Sequence, residues 1–282
     1  MRAVEQRTAL VTGGASGLGK AIAQRLATNG VRVIITDIQA ELGATIAHEG
    51  GFIFLEQDVC DESRWKVVVQ DIEERCGGLH ILVNNAGIVG PMAATSPENT
   101  PLSVWKKVFA INVEGVFLGC RAALPAMRRA GIGSIINISS VAGLLATPYN
   151  TAYGASKAAV SQLTKSVAQY CAAQKLNIRC NSVHPGDVHT PLWDKIAKER
   201  AKEGGVTAAE VLAEAESTSP MGGFTLAEDV AAAVSFLASD QARRITGTRL
   251  IVDGGLIGCD TFHVVPQRAA KVPLSVDSEA AP

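Results

Sequence analysis

The chain has 282 residues, of which 47% are hydrophobic, and its 26 basic and 27 acidic side chains give a formal net charge of −1 at pH 7. This length and composition are ample for the buried core of one large domain or two small ones, and the near-zero charge argues against nucleic acid or an anionic membrane as the main partner. We expect no membrane-spanning helix, because the apolar runs at 81–90 and 116–127 are interrupted by Asn84, Asn85 and Arg121.

The first residues lead almost directly into a strand-like run, without the pattern of a secretory signal peptide. The cysteines are scattered, with no Cys-x-x-Cys spacing and no cluster with histidine, so we interpret them as reduced structural thiols and predict no metal site. They are Cys60, Cys76, Cys120, Cys171, Cys180 and Cys259. These features predict a cytoplasmic protein.

Strand-like apolar runs alternate with helical segments from the start, a pattern typical of a parallel sheet with helices on both faces. In the first part of the chain the predicted strands are 8–12, 31–36, 52–56 and 79–83. The helices between them are predicted at 18–28, 39–48 and 62–75. We therefore predict an α/β fold with a doubly wound parallel sheet.

The same alternation continues through the second part of the chain. The predicted helices are 102–129, 152–174 and 226–239, and the predicted strands are 134–138, 178–183 and 249–253. Pro125 is expected to kink the end of the first of these helices. No linker or internal repeat divides the chain, so we predict a single domain over residues 1–260.

Two segments depart from this pattern. Residues 187–223 are richer in charge and contain two predicted short helices, 192–203 and 207–217, which we interpret as a substrate lid near the carboxyl end of a strand. Residues 261–282 contain prolines and small side chains without periodicity, and they are expected to form a loosely held or partner-docked tail.

A glycine-rich turn, T-G-G-A-S-G-L-G at 12–19, follows the first strand and opens a helix. Gly13, Gly17 and Gly19 allow a tight turn and the close approach of a ligand, and a helix N-terminus favours a pyrophosphate. The spacing is Gly-x-x-x-Gly-x-Gly rather than Gly-x-Gly-x-x-Gly. The turn predicts a dinucleotide-binding loop.

Asp37 ends the second predicted strand, 18 residues after Gly19. A carboxylate there can accept hydrogen bonds from an adenosine ribose and repel a 2′-phosphate. Neither Ser16 nor Ile38 supplies a cation for that phosphate, so we predict NAD rather than NADP. An N-cap role in the following helix is the alternative for Asp37.

Tyr153 and Lys157 are four residues apart in an alanine-rich helical run, T-A-Y-G-A-S-K-A-A-V. At this spacing two side chains lie on one helix face. A phenol beside an ammonium group is expected to lose its proton more readily than free tyrosine, whose pKa is about 10. The pair alone could also belong to an ordinary surface helix, but it suits a general acid/base acting on an alcohol or carbonyl.

Several motifs stand in the order and spacing of one known family. They are the turn at 12–19, Asn84-Asn85-Ala86-Gly87, Ser140, Tyr153, Lys157 and Pro185-Gly186. From about Thr8 to Gly255 the chain resembles the short-chain dehydrogenase/reductases. The resemblance implies a seven-stranded parallel sheet of the Rossmann type, with the dinucleotide at the carboxyl ends of the strands.

The resemblance also implies roles for individual residues. Cofactor contacts would come from Gly13, Ser16, Gly17, Leu18, Gly19, Asp37, Ile38, Asp58, Val59, Asn85, Ala86, Gly87, Tyr153, Lys157, Pro185, Gly186, Val188 and Thr190. The catalytic set would be Asn112, Ser140, Tyr153 and Lys157, with the Asn112 backbone holding a water of a proton relay.

Plainer interpretations remain open for some of these residues. Asn112 could merely bond neighbouring backbone, and Ser140 could be an ordinary strand-end serine. His184 and His189 are interpreted as structural or substrate-lining, and Asp187 as a solvated loop acid.

The side chains expected around the substrate are mostly apolar. Ser140, Leu145, Tyr153 and Trp193 are the predicted contacts, with Val89, Pro91, Met92, Leu144, Tyr149, Leu192, Met221 and Phe224 nearby. This set favours a bulky, uncharged secondary alcohol or ketone. The resemblance is strongest to bacterial 3β/17β-type hydroxysteroid and cyclic-alcohol dehydrogenases.

We therefore predict an NAD-dependent enzyme that interconverts a hydroxysteroid or alicyclic alcohol and its ketone. The alternatives are a 3-oxoacyl-carrier-protein-type reductase, which Asp37 disfavours, and a non-catalytic dinucleotide-binding scaffold, which the complete Ser140, Tyr153 and Lys157 set disfavours. The resemblance further implies a homotetramer built partly on the helices that begin near Leu102 and Ala152.

Overall fold

The structure, a computed structural model, describes residues 6–91 and 96–258. Within them, seven parallel strands form one sheet in the order β3-β2-β1-β4-β5-β6-β7. The strands are β1 (Thr8–Thr12), β2 (Arg32–Asp37), β3 (Ile53–Glu56), β4 (Ile81–Asn84), β5 (Gly133–Ile138), β6 (Ile178–Pro185) and β7 (Arg249–Val252). The predicted doubly wound sheet is confirmed, and each strand begins and ends within two residues of its prediction.

Helices cover both faces of the sheet. They are α1 (Gly17–Thr28), α2 (Ala40–Gly50), α3 (Glu62–Cys76), α4 (Leu102–Phe109), α5 (Gly115–Ala130), α6 (Thr151–Ala173), α7 (Pro191–Gly204), α8 (Ala208–Ser217) and α9 (Ala227–Ala238). One core layer packs α1 and α9 against the sheet, and the other packs α3, α5 and α6 against the opposite face. The central strands are therefore buried on both sides, which requires nearly continuous apolar runs.

The strand order reverses between β1 and β4, whose residues Leu10 and Leu82 pair in register. In open parallel sheets a crevice forms outside the carboxyl ends of the strands at such a reversal. Thr12, at the end of β1, and Asn84, at the end of β4, are buried there. The reversal places the glycine turn and the Asn84–Gly87 run side by side.

The long helix predicted at 102–129 is interrupted. A π-helical segment, Ala110–Glu114, separates α4 from α5, and the Gly115 amide donates to the Ala110 carbonyl five residues back. The helix continues through Pro125 to Ala130, so the irregular hydrogen bonding lies upstream of the expected kink. Single π-helical turns are frequent at functional sites.

The expectation about membrane-spanning length needs a correction. Leu102–Ala130 is long and apolar enough to cross a bilayer by length and composition alone. Its inner face, however, contributes Val116, Ala123 and Met127 to the core, as the central helix of a globular domain does.

The two short helices predicted in the lid are present as α7 and α8. Thr207 begins α8 with a capping box, in which its hydroxyl accepts from the Glu210 amide and the Glu210 carboxylate accepts from the Thr207 amide. The predicted tail at 261–282, Cys259 and Met92 lie outside the described residues.

Candidate active site

The glycine turn is built so that side chains would obstruct it. Gly13 and Gly17 have φ values of +64° and +49°, in the left-handed region that favours glycine. A Cβ atom on Gly19 would overlap the Gly13 carbonyl oxygen and come within 2.6 Å of the Asn85 amide nitrogen. The turn therefore presents bare backbone at the crevice.

Asn85 and Thr12 hold this turn against the end of β4. The Asn85 side-chain amide donates to the carbonyls of Thr12 and Gly13 at 2.9 and 3.1 Å. The Thr12 hydroxyl accepts from the backbone amides of Asn85 and Ala86, both at 3.0 Å. Asn84 faces the opposite way and donates to Asn137 of β5 at 2.8 Å, which ties the central strands together.

The start of α1 suits an anion. Its N-cap, Ser16, makes no side-chain capping hydrogen bond, and no acidic residue stands in the first turn. The first amides of a helix lack intrahelical partners and carry the positive end of the helix dipole. Together with the bare turn, this end fits the pyrophosphate of a dinucleotide. Leu18, in the same turn, packs against the core.

Asp37 is buried at the end of β2 and points toward the turn. Its Oδ2 accepts from the Ala15 amide at 3.2 Å, and its Oδ1 accepts from the Gln39 amide at 3.1 Å. The N-cap of α2 is Gln39, not Asp37, so the alternative N-cap role is wrong. Ile38, next in the chain, is 67% exposed and brings no cation to this position.

Asp58 and Val59 follow β3 beside this pocket. The Asp58 carboxylate is exposed and accepts from the Cys60 amide at 2.9 Å, while Val59 is buried against Gly115. The exposed carboxylate at this edge is free to accept from an adenine amino group.

Ser140 and Tyr153 meet at the carboxyl end of β5. The Tyr153 hydroxyl is hydrogen-bonded to the Ser140 side chain, and the Ser140 Oγ accepts from the Ala142 amide at 3.1 Å. Ser139, the neighbouring serine, instead donates to the Lys157 carbonyl at 2.8 Å. Ser140 is thus the serine that faces the tyrosine.

Lys157 is buried on the same face of α6 as Tyr153. Its Nζ donates to the Ile138 carbonyl at 2.9 Å and lies 5.6 Å from the centre of the Tyr153 ring. Burial lowers the pKa of Lys157 to about 8. Gly87 lies close to the ammonium and to Asn112, since a Cβ there would be 3.5 Å from Nζ and 3.1 Å from the Asn112 side-chain oxygen.

The pKa of Tyr153 runs against the sequence-based expectation. Burial raises it above the ordinary value, the Ser140 hydrogen bond lowers it, and the negative charge of Asp187 raises it further. The ammonium of Lys157 donates its hydrogen bond to the Ile138 carbonyl and lies over the ring of Tyr153, not at its hydroxyl. The prediction that the neighbouring ammonium lowers the pKa of the Tyr153 phenol is therefore wrong, because the net shift is upward.

Asn112 lies in the π-helical segment and is fully buried. Its side chain accepts from the Ile88 amide and donates to the Ile88 carbonyl, both at 2.8 Å, and also contacts the Ser156 hydroxyl at 3.0 Å. The side chain bonds neighbouring backbone, as the plainer interpretation held. Its backbone role in a relay stays a prediction.

His184 contacts the backbone of Ser140. One ring nitrogen lies 3.0 Å from the Ser140 carbonyl oxygen and the other 2.9 Å from the Ser182 hydroxyl. The side chain is fully buried, and burial lowers its pKa to about 4. His184 is therefore neutral near pH 7, donating to the carbonyl and accepting from the serine.

Asp187 is not the solvated loop acid that the sequence suggested. It lies just beyond Pro185 and Gly186 at the end of β6 and is half-buried. Burial raises its pKa, and the charge of Arg200 on α7 opposes that rise. Its negative charge raises the pKa of Tyr153, an electrostatic link that sequence reasoning missed.

An aromatic cluster joins the lid to this pocket. Phe224 stacks on His189 and meets Trp193 edge-on, with ring centres 5.3 Å apart in both pairs. Val188 is buried, and Thr190, the N-cap of α7, contacts the space beside Gly17. Of the predicted substrate contacts, Trp193 belongs to this cluster.

The other predicted contacts are more open. Leu145 is 46% exposed, while Val89 and Leu144 are half-buried. Within residues 6–91 and 96–258, no group of three or more His, Cys, Asp or Glu side chains is arranged to hold a metal ion.

Comparisons with known proteins agree with this geometry. A family profile described as enoyl-(acyl carrier protein) reductase matches residues 13–257. The chain is similar to an NADP-dependent (R)-specific alcohol dehydrogenase of Lentilactobacillus kefiri, 37% identical over 88% of this chain and 96% of that protein. It is also similar to a 3-beta-hydroxysteroid dehydrogenase of Comamonas testosteroni, 37% identical over 90% of this chain and 97% of that protein.

Among solved structures, the ligand-free aldohexose dehydrogenase of Thermoplasma acidophilum is similar, with a TM-score of 0.81 and 34% identity. The similarity covers 91% of this chain and 96% of the other. The shared sheet and the similar enzymes agree with the resemblance drawn from the motifs.

Proposed function

This chain belongs to the short-chain dehydrogenase/reductase family, and on that premise we propose that it is an NAD-dependent oxidoreductase of bulky secondary alcohols and their ketones. The observation that carries the proposal is the contact of the Tyr153 hydroxyl with Ser140, one helical turn from the buried ammonium of Lys157. A dinucleotide-binding scaffold has no use for such a group. The reaction class is acid/base-assisted hydride transfer.

The residues that would hold the dinucleotide surround the crevice. The turn at 12–19 would take the pyrophosphate, Asp37 the adenosine ribose, and the segment from Pro185 to Thr190 the nicotinamide end. When bound, this cofactor accepts or returns the hydride at its nicotinamide ring.

Side chains of the protein would carry out the proton transfer. In alcohol oxidation, Tyr153 as phenolate takes the proton of the substrate hydroxyl, and Ser140 holds the substrate oxygen and stabilises its developing charge. Because burial raises the pKa of Tyr153, the phenolate needs a positive charge nearby when it forms. Lys157 is the closest buried cation on the same helix face.

The choice of NAD rests on Asp37. Both carboxylate oxygens are held by the amides of Ala15 and Gln39, which fixes a negative charge at the position where a 2′-phosphate would lie. The similar L. kefiri enzyme is NADP-dependent, so family membership does not decide the cofactor. The fixed carboxylate favours NAD in this chain.

For the substrate we propose an alicyclic secondary alcohol, with hydroxysteroids included. The similar C. testosteroni enzyme acts on such a substrate by its name. Here, the rings of Trp193 and Phe224 meet edge-on next to the lid helix α7, and Leu144 follows the Ser140 turn in the chain, and apolar side chains of this kind would suit a ring system.

A substrate panel tests the proposal. Purified protein is assayed with hydroxysteroids, cyclohexanols and polyols in the presence of NAD or NADP, and with acetoacetyl thioesters in the presence of NADH or NADPH. We expect oxidation of alicyclic alcohols with NAD, and inactivity toward all steroids and alicyclic alcohols would refute the substrate class. Turnover of the thioesters with NADPH alone would favour the carrier-protein reductase.

We also propose a cytoplasmic homotetramer. The outer faces of α4, α5 and α6 expose Leu102, Phe117 and Tyr170, the last two at 45% and 48% of their surface. Helix faces of this kind are buried when copies associate. Gel filtration with light scattering tests this, and a monomer would contradict it.

A further inference from the structure

Asp187 lies at the same edge of the sheet as the reacting groups. It comes two residues after Pro185, the last residue of β6, and β6 pairs with β5 so that Val183 stands opposite Ile138. The segments leaving these two strands therefore run side by side. The contact of His184 with the Ser140 carbonyl at 3.0 Å joins them.

The backbone at Asp187 is fixed. The Thr225 amide donates to the Asp187 carbonyl at 3.0 Å, and the His189 amide donates to the Thr225 carbonyl at 3.3 Å. Val188 pairs with Thr225 as an isolated parallel bridge. The carboxylate is thus held on a short stretch of sheet and not on a free loop.

The Asp187 carboxylate has no hydrogen-bond or ion-pair partner among residues 6–91 and 96–258. The positive charge of Arg200, whose guanidinium lies 5.8 Å from the centre of the Trp193 ring, lowers the pKa of Asp187 without forming an ion pair with it. A half-buried carboxylate without a protein donor depends on water for its hydrogen bonds, and a bound molecule that displaces this water must supply a donor of its own.

We propose that Asp187 is a specificity-determining residue that accepts a hydrogen bond from a second donor group of the substrate, near the reacting carbinol. The inference rests on the proposed function and names its substrate more closely. A carboxylate accepts but does not donate, so the donor is a hydroxyl or an ammonium group. The substrate is then an alicyclic diol or amino alcohol rather than a purely apolar alcohol.

The unpaired carboxylate would let the enzyme discriminate between ring alcohols with and without a second donor group. A ring alcohol with one hydroxyl would exclude water from Asp187 and leave it without a donor. A substrate with a correctly placed second donor removes that penalty, and sites of this kind discriminate strongly against analogues that lack the group.

The test compares ring alcohols that differ only in the second group. The kcat/KM values are measured with NAD and NADP for cyclohexanol, the cyclohexane-1,2-, 1,3- and 1,4-diols, and 2-aminocyclohexanol. We expect the wild-type enzyme to prefer at least one diol or the amino alcohol over cyclohexanol by tenfold or more. A preference for a diol would indicate that Asp187 accepts from a neutral hydroxyl, and a preference for the amino alcohol would indicate an ammonium group.

Two variants assign the preference to the residue. Asp187→Leu should reduce the ratio of the preferred substrate to cyclohexanol by tenfold or more. Asp194→Asn removes an exposed carboxylate that pairs with His189 on the lid, and it should leave this ratio unchanged.

The outcomes separate the two proposals. A wild-type enzyme that oxidises cyclohexanol at least as well as every diol and the amino alcohol overturns the role of Asp187. An unchanged ratio in Asp187→Leu does the same, and if that variant does not fold, the wild-type ratio alone decides. No turnover of any alcohol with either dinucleotide refutes the proposed function instead.

Discussion

The ammonium of Lys157 and the ring of Tyr153 are stacked on one face of α6, with Nζ 5.6 Å from the ring centre and its hydrogen bond directed to the Ile138 carbonyl. The lysine is therefore anchored to β5, and its charge lies under the tyrosine ring. This arrangement separates two functions, because the serine holds the phenol oxygen while the lysine supplies buried charge.

Tyr153→Phe removes the phenol oxygen and keeps the ring that packs beside Lys157. Because general acid/base groups contribute about 10²–10⁴-fold, we expect kcat for alcohol oxidation to fall by that factor. Dinucleotide binding, followed by NADH fluorescence, should be retained. Tyr170→Phe, on the exposed face of the same helix, is the control, and wild-type turnover in Tyr153→Phe would refute the acid/base assignment.

Lys157→Met should stabilise the protein while inactivating it. Burial lowers the pKa of Lys157 from 10.5 to about 8, so below pH 8 the folded state bears a penalty of about 3 kcal/mol for the buried ammonium. Loss of the charged hydrogen bond to the Ile138 carbonyl offsets about 2 kcal/mol. We expect the variant to unfold at higher urea concentration at pH 7, with a gain of about 1 kcal/mol.

The pH dependence of this gain gives a second check. Between pH 8 and 10.5 the unfolded chain binds more protons at Lys157 than the folded chain, so wild-type stability rises with pH relative to the variant. The penalty of the buried ammonium should fall to about half by pH 9.5. A variant less stable than wild type at pH 7 would contradict the desolvation argument.

Much of the sheet could be predicted because parallel strands buried on both faces read as continuous apolar runs. β1 and β5 illustrate this, since all of their residues are buried. The π-helical segment Ala110–Glu114 could not be predicted from the sequence, because no proline marks it. Its Asn112 contacts Ile88 and Ser156, which are distant in the chain.

The candidate site could also be predicted only in part, and the features that were missed again depend on contacts between distant parts of the chain. The four-residue spacing indicated Tyr153 and Lys157, and the family resemblance added Ser140. The burial of Asp187 depends on Thr225 and the lid, which sequence distance hides. The raised pKa of Tyr153 likewise reflects desolvation, which a local motif does not report.

Asp37→Ser should shift the choice of dinucleotide. The substitution removes the carboxylate that would accept from the ribose and repel a 2′-phosphate, and a hydrogen bond to a charged group contributes about 1.5–3 kcal/mol. We expect the ratio of kcat/KM with NAD to that with NADP to fall at least tenfold. Glu41→Gln removes another carboxylate, in the first turn of α2, and should leave the ratio near that of wild type. A wild-type enzyme that already prefers NADP would overturn the cofactor assignment.

His184 should make the protein sensitive to acid. Its pKa is lowered from 6.5 to about 4, so between those values the unfolded chain binds more protons and stability falls as the pH falls. From pH 8 to pH 5 this residue should account for a loss of about 2 kcal/mol. His184→Gln keeps a donor for the Ser140 carbonyl and an acceptor for Ser182. Urea unfolding at both pH values should show a smaller loss in the variant, and equal losses would refute the prediction.

Gly19→Ala tests whether the turn must remain bare. An alanine Cβ would overlap the Gly13 carbonyl oxygen and press on the Asn85 amide, so the turn must shift away from the position that Asn85 holds. Overpacking of this kind costs about 1–3 kcal/mol of stability, and a displaced helix start should raise the Kd for NADH at least tenfold. Gly78→Ala is the matched control, because a Cβ there meets Ala130 at an ordinary 3.5 Å and no positive φ is involved. We expect that control to bind NADH like the wild type. Unchanged NADH affinity in Gly19→Ala would mean that the dinucleotide does not approach this turn, and the cofactor would have to bind elsewhere along the crevice.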